Sequence, residues 1–411
     1  MALTEGLQAY EKEKLLLPLP KERGWGSRHL YLFQHFWCPS THFQGVINFQ
    51  NHFKAKDSDV IVASFPKSGT TWLKALTFSI VNRKRFSCSD NHPLLTSNSH
   101  ELVPFLDFIF HGDNIQHKLS YLSNITEPRV FGTHIQFPSL SNSIKESNCK
   151  ILYICRNPFD AFVSSWTFFN KTKSGSLHEL TIEEALEKYC KGIVGFGPTW
   201  EHMLGYWKES IATPNKVLFL KYEELKEDAN FYVRRVAEFL DCPFTEEEES
   251  NGVIESIRNL CSFEKMKILE VNKSGTFDRN IEKKYLFRKG EIGDWVNYFS
   301  PAMTEKLSKA IEEKLGYKEI LINPIIYVVS VIVFGLVIRL SSIGPVAGFS
   351  CVAPSSTHYA KEHSDPLKIG VNTVEEAVKA VVALVYNRSQ ASSSITSIAR
   401  LVSWTATFPP T

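Results

Sequence analysis

The order of elements in this sequence predicts an α/β fold, a central and mostly parallel sheet flanked by helices. Three observations predict it. Short β-branched, apolar runs recur along the first part of the chain. Helix-patterned stretches separate them. Each run ends at a side chain suited to chemistry: Lys67, His134, Arg156 and Tyr222. Ligands of parallel sheets bind beyond the carboxyl ends of the strands, so these four endings point to one edge.

The first run, "DVIVASF" (59–65), is short, apolar and ended by Pro66, as a buried strand should be. "TTWLKALTFSIVNR" (70–83) follows with Trp72, Leu73, Leu76, Ile80 and Val81 near one face, which predicts a helix. "RVFGTHI" (129–135) and "KILYICR" (150–156) are the next strands. "NPFDAFVSSWTFFNK" (157–171) is a helix whose first turn tolerates Pro158. "KVLFLKYEELKED" (216–228) is a strand running into a helix, and 229–240 and 246–257 continue as helices. Residues 1–56 read as an amphipathic start followed by turn-rich, aromatic sequence.

Composition narrows the function. With 411 residues, the chain holds one large domain and an appendage, or two domains. A net charge of +2 gives no reason to expect a nucleic acid as partner. The 29 phenylalanines suit a large core or an aromatic pocket. The eight cysteines form no C-x-x-C pair and no metal-ligand spacing, so no metal is expected. The first 25 residues contain no apolar leader core. With unpaired thiols, that points to a reducing compartment, most simply the cytoplasm.

The stretch "VIVASFPKSGTTWLKALTFSI" (60–80) looks like a phosphate cradle, a strand entering a helix through a small polar loop. First-turn amides and the helix dipole favour an anion there. It is not the G-x-x-x-x-G-K-[ST] loop, because Ser64 stands where the first glycine belongs. Gly69 allows close backbone approach, Lys67 brings a point charge, and Ser68, Thr70 and Thr71 bring hydroxyls.

"SFPKSGTTW" resembles the 5′-phosphosulfate loop of the cytosolic sulfotransferases, which use 3′-phosphoadenosine 5′-phosphosulfate (PAPS). "RKGEIGDWVNYFS" (288–300) resembles that family's 3′-phosphate motif, R-K-G-x-x-G-D-W, in the family's order. "LPKERGW" (19–25) and "VNKSG" (271–275) resemble the plant branch, and the resemblance covers about residues 15–316. It implies a P-loop-like sulfotransferase fold with PAPS as co-substrate. By resemblance, Lys67, Ser68, Gly69, Thr70 and Thr71 hold the phosphosulfate, with Trp72 and Tyr222 near the adenine. Arg156, Ser164, Arg288, Lys289 and Gly290 grip the 3′-phosphate. "LCSFEKM" (260–266) resembles an adenine segment, with Ser262, Phe263 and Met266 matching and Cys261 in place of threonine. His134 takes the place of the catalytic base, and imidazole suits a proton transfer near neutral pH. Lys67 would also stabilise the leaving group, with Ser68 or Ser164 restraining it until the acceptor arrives. Gly132 replaces a lysine common in animal members.

The implied acceptor is a small hydroxylated molecule of flavonoid, steroid, hydroxyjasmonate or desulfoglucosinolate class. "VPFLDFIFHGDN" (103–114) and "SSWTFFN" (164–170) are aromatic stretches for its pocket, with His111 a further candidate. The family's dimer motif is not reproduced, so no dimer is expected by that route. Two other readings of the loop are a nucleotide or small-molecule kinase and a non-catalytic, membrane-tethered nucleotide-binding protein. The expected domains are 1–318, a hydrophobic segment 319–340 and a tail 341–411. The run 319–338 is long enough to span a bilayer. It reads as a membrane anchor, as a buried element of an added module, or as a continuation from a gene-assembly error.

Overall fold

The computed structural model describes residues 17–86, 91–112, 114–173, 175, 177–277 and 281–315. The chain divides into two units, Met1–Tyr317 and Lys318–Thr411. The second lies outside the described residues, as does the hydrophobic segment 319–340.

Four strands form the central sheet: β1 (Val60–Ser64), β2 (Val130–Thr133), β3 (Lys150–Cys155) and β4 (Val217–Lys221). Their order is β2-β1-β3-β4, and every pairing is parallel. All five residues of β1 are buried, which explains its unbroken apolar sequence. At the amino ends of the strands, Arg129 grips Asp59 with two bonds of 2.6 and 2.7 Å, and both side chains are buried. The opposite edge is left for function.

Two helices enter that edge. Helix α1 (Thr70–Asn82) leaves β1 through the loop 65–69, with Gly69 at its N-cap. Helix α2 (Pro158–Thr172) follows β3, and the Asn157 side chain accepts from the Phe159 amide to cap it. β4 passes into α3 (Tyr222–Glu227) and α4 (Ala229–Phe239). The expected helix 246–257 is interrupted: Gly252 adopts φ +68° and separates Glu246–Ser250 from α5 (Val253–Leu260). Then come α6 (Phe263–Ile268) and α7 (Pro301–Leu315). The segment 17–56 holds strands absent from the sequence reading, an antiparallel sheet of Lys21–Glu22, Leu30–Phe33 and Phe36–Pro39.

Candidate active site

The loop between β1 and α1 is shaped by two left-handed residues, Lys67 at φ +68° and Gly69 at φ +111°. A Cβ on residue 69 would lie 2.9 Å from Tyr222 Cδ2 and 3.0 Å from Ile154 Cδ1. Only glycine fits there. Ser64, at the end of β1, lies 2.6 Å from Thr70 Oγ1 through its hydroxyl, tying loop to strand. Its carbonyl oxygen accepts a 2.8 Å hydrogen bond from His134 Nδ1. A carbonyl only accepts, so Nδ1 carries the proton and a neutral His134 keeps its lone pair on Nε2. The His134 backbone is fixed too: His202 Nε2 donates to its carbonyl at 2.9 Å, and Tyr153 donates to His202 Nδ1 at 2.9 Å. Burial lowers the His134 pKa to about 3, against the Ser64 bond and aided by Lys74, His202 and Lys67. The imidazole is therefore neutral at physiological pH.

His134 and the loop open on a cavity of about 710 Å³. Lys67, Gly69, Thr70, Thr71 and Trp72 line it, and so do Arg156, Ser164, Tyr222, Phe263, Arg288 and Gly290. Burial, with repulsion from Arg156 and Arg288, brings the Lys67 pKa down to about 7. Its ammonium lies 4.0 Å from the centre of the Phe168 ring, so an aromatic face, rather than a serine hydroxyl, is what it meets. Arg156 donates from Nη2 to the Glu291 carbonyl at 2.5 Å and stacks 4.5 Å over Tyr222. Arg156 Nε and Arg288 Nε are buried without a hydrogen-bond partner, which is what a dianionic group between them would correct. Tyr222 donates to the Gly290 carbonyl at 2.8 Å. Gly290 lies against Phe263; a Cβ there would sit 2.6 Å from its ring.

Four expected residues stand apart from the cavity lining. Lys289 bonds Asp294 Oδ1 at 2.6 Å and Arg288 bonds the other oxygen. The lysine thus serves the motif's own loop. Ser262 caps α6, accepting from the Lys265 amide at 3.2 Å. Ser68 is buried inside the loop. His111 is exposed and away from the cavity.

The sequence reading missed several partners. Asp160 on α2 accepts from the Gly293 and Trp295 amides at 2.7 and 3.1 Å, docking the 288–295 segment beside Arg156. His100 contacts Thr71 Oγ1 at 3.0 Å and Lys74 Nζ at 3.2 Å. Phe105, Phe108, Phe168 and Phe169 also line the cavity, from the two aromatic stretches singled out in the sequence. They are joined by Trp25, His42, Phe196 and Phe277, from segments not singled out for the pocket because they converge only in three dimensions.

The family described as Sulfotransferase domain matches residues 57–318. The chain belongs to the sulfotransferase family. The Cytosolic sulfotransferase 15 of Arabidopsis thaliana is 51% identical over 315 residues, 76% of this chain and 87% of that one. Cytosolic sulfotransferase 14 of the same organism is 50% identical over 317 residues, covering 76% and 90%. An Arabidopsis thaliana sulphotransferase crystal structure aligns at TM-score 0.59 with 40% identity, covering 75% of this chain and 94% of that one. A mouse sulfotransferase complexed with PAP aligns at TM-score 0.55 with 27% identity, covering 71% and 96%. The fold is thus the expected P-loop-like sulfotransferase fold. The kinase and non-catalytic readings fall with the family match. The tail is unrelated to this family: residues 345–394 match the family described as Rubber elongation factor protein (REF).

Proposed function

We propose that this sulfotransferase moves the sulfuryl group of PAPS to a hydroxyl on a small, largely apolar acceptor, with His134 as general base. The acceptor belongs to the flavonoid, steroid, hydroxyjasmonate or desulfoglucosinolate class, and the reaction takes place in the cytoplasm. The observation that carries the reading is the His134 Nδ1 bond to Ser64, which leaves Nε2 as the acceptor atom at a cavity also lined by Lys67. The acceptor hydroxyl gives its proton to Nε2 as its oxygen bonds to sulfur. The bond from sulfur to the bridging oxygen breaks, and the electron pair stays on the 5′-phosphate. Lys67 neutralises that charge; an anion beside it favours its protonated form. The unpartnered guanidinium nitrogens of Arg156 and Arg288 suit the 3′-phosphate, with Trp72, Tyr222 and Phe263 around the adenine. The four phenylalanines in the cavity wall suit a flat, apolar acceptor.

Labelled PAPS incubated with a panel of hydroxylated acceptors identifies the class. His134→Ala is expected to slow transfer to the preferred acceptor by about 10²–10⁴-fold. Transfer that survives this substitution would overturn the assignment of the base.

A further inference from the structure

Lys74 lies in the middle of α1 and is fully buried. It fills the space that Gly132 leaves on β2: a Cβ on residue 132 would stand 2.2 Å from Lys74 Cε and 2.4 Å from Nζ. Its nitrogen sits 3.1 Å from the centre of the Phe105 ring and 3.2 Å from His100 Nδ1. His100 is stacked between Phe105 and Phe277, with ring centres 5.2 and 5.1 Å apart, and its Nε2 is 3.0 Å from Thr71 Oγ1. Thr71 belongs to the cavity wall.

We propose that Lys74 is a positioning residue of the transfer site, acting through His100 to turn the Thr71 hydroxyl into a donor aimed at the sulfonate. The inference rests on the PAPS reading above. In this relay the lysine nitrogen donates to His100 Nδ1, and a neutral imidazole then carries its proton on Nε2. Nε2–H then donates to Thr71 Oγ1. A hydroxyl whose oxygen is occupied in this way directs its own proton elsewhere, and for Thr71 the open direction is the cavity. Burial, helped by the charges of Lys74, His134 and Lys67, holds His100 well below its usual pKa, as the relay requires. Burial also lowers the Lys74 pKa, against the opposing charge of Asp107, and the amine keeps N–H donors in either protonation state.

The test separates nucleotide binding from transfer in the full chain. PAP lacks the sulfonate, so Lys74→Met should leave its Kd within about threefold while single-turnover transfer from PAPS slows at least about tenfold. In a double-mutant cycle, Lys74→Met should cost nothing further once Thr71→Val has removed the hydroxyl. Unchanged transfer in Lys74→Met, or rate losses that multiply in the double variant, would overturn the proposal. Should Lys74→Met not fold, His100→Leu and His100→Gln serve instead. Glutamine can accept from Lys74 and donate to Thr71, so it should retain most of the rate that leucine loses; equal losses, or none, would also overturn it. His134→Ala is run beside these variants. If it abolishes transfer while the relay variants do not slow it, the base assignment stands and the relay fails.

Discussion

Lys67 approaches neutrality near pH 7 before an anion binds, because burial and the charges of Arg156 and Arg288 oppose its proton. A bound phosphate restores that proton. Binding of PAP above about pH 7 should therefore take up a proton, visible in calorimetry as a binding enthalpy that depends on the buffer's ionisation heat. An enthalpy independent of buffer would count against it. His134 and His202 shift in the sense that makes acid destabilising. Burial brings them to about 3 and about 4, below the ordinary imidazole value of 6.5. The unfolded chain then binds more protons than the native one as pH falls from 6.5 toward those values. Thermal midpoints should drop across that window, and His202→Gln should flatten the slope if the fold tolerates it. Lys67 and His134 were legible in the sequence because each closes an apolar run. Lys74 was not: a lysine amid "TTWLKALTF" looks like any solvated helix position, and its burial depends on the missing side chain of Gly132, far away in sequence.

Among the elements, the 288–295 segment depends on α2. Asp160 supplies both acceptors for the Gly293 and Trp295 amides. Asp160→Ala would strand two amides, at a cost of about 1–3 kcal/mol for each one left buried and unsatisfied. It should weaken PAP binding and speed tryptic cleavage after Arg288 and Lys289, with Lys67 and His134 chemistry otherwise intact. PAP affinity equal to that of the parent would show that the segment docks without this carboxylate. Sequence reading singled out R-K-G-x-x-G-D-W by its resemblance to a 3′-phosphate motif but could not divide its labour. Asp294 holds Arg288 and Lys289, and burial's upward push on its carboxyl is outweighed by hydrogen bonds from Lys289, Arg288 and Asn297. The long runs β1 and β3 were found within a residue or two. The strands of residues 21–39 are only two to four residues long, too short for alternation to register.

At the scale of the molecule, the sulfotransferase match ends at residue 318 and a different family pattern occupies 345–394. Helix α7 buries Met303, Leu307, Ile311 and Leu315 before that boundary. A chain ending at residue 318 should therefore fold and transfer sulfuryl with the kcat/KM of the full chain. Loss of transfer on truncation would show that the tail takes part. Among the described residues, no helix is long and apolar enough to cross a membrane. The cavity residues proposed for the nucleotide could be singled out in the sequence because they lie in contiguous motifs. The aromatic wall was only half legible, since Trp25, His42, Phe196 and Phe277 join it from distant segments. The left-handed backbone at Lys67 reaches furthest. A side chain at φ +68° costs about 1–2 kcal/mol, while glycine's extra freedom in the unfolded chain costs only about 0.5–1. Lys67→Gly should thus melt no lower than the parent while losing transfer. Any selection that rewards robustness alone would drift away from this lysine, so its retention in a population of variants would itself report that catalysis was under selection.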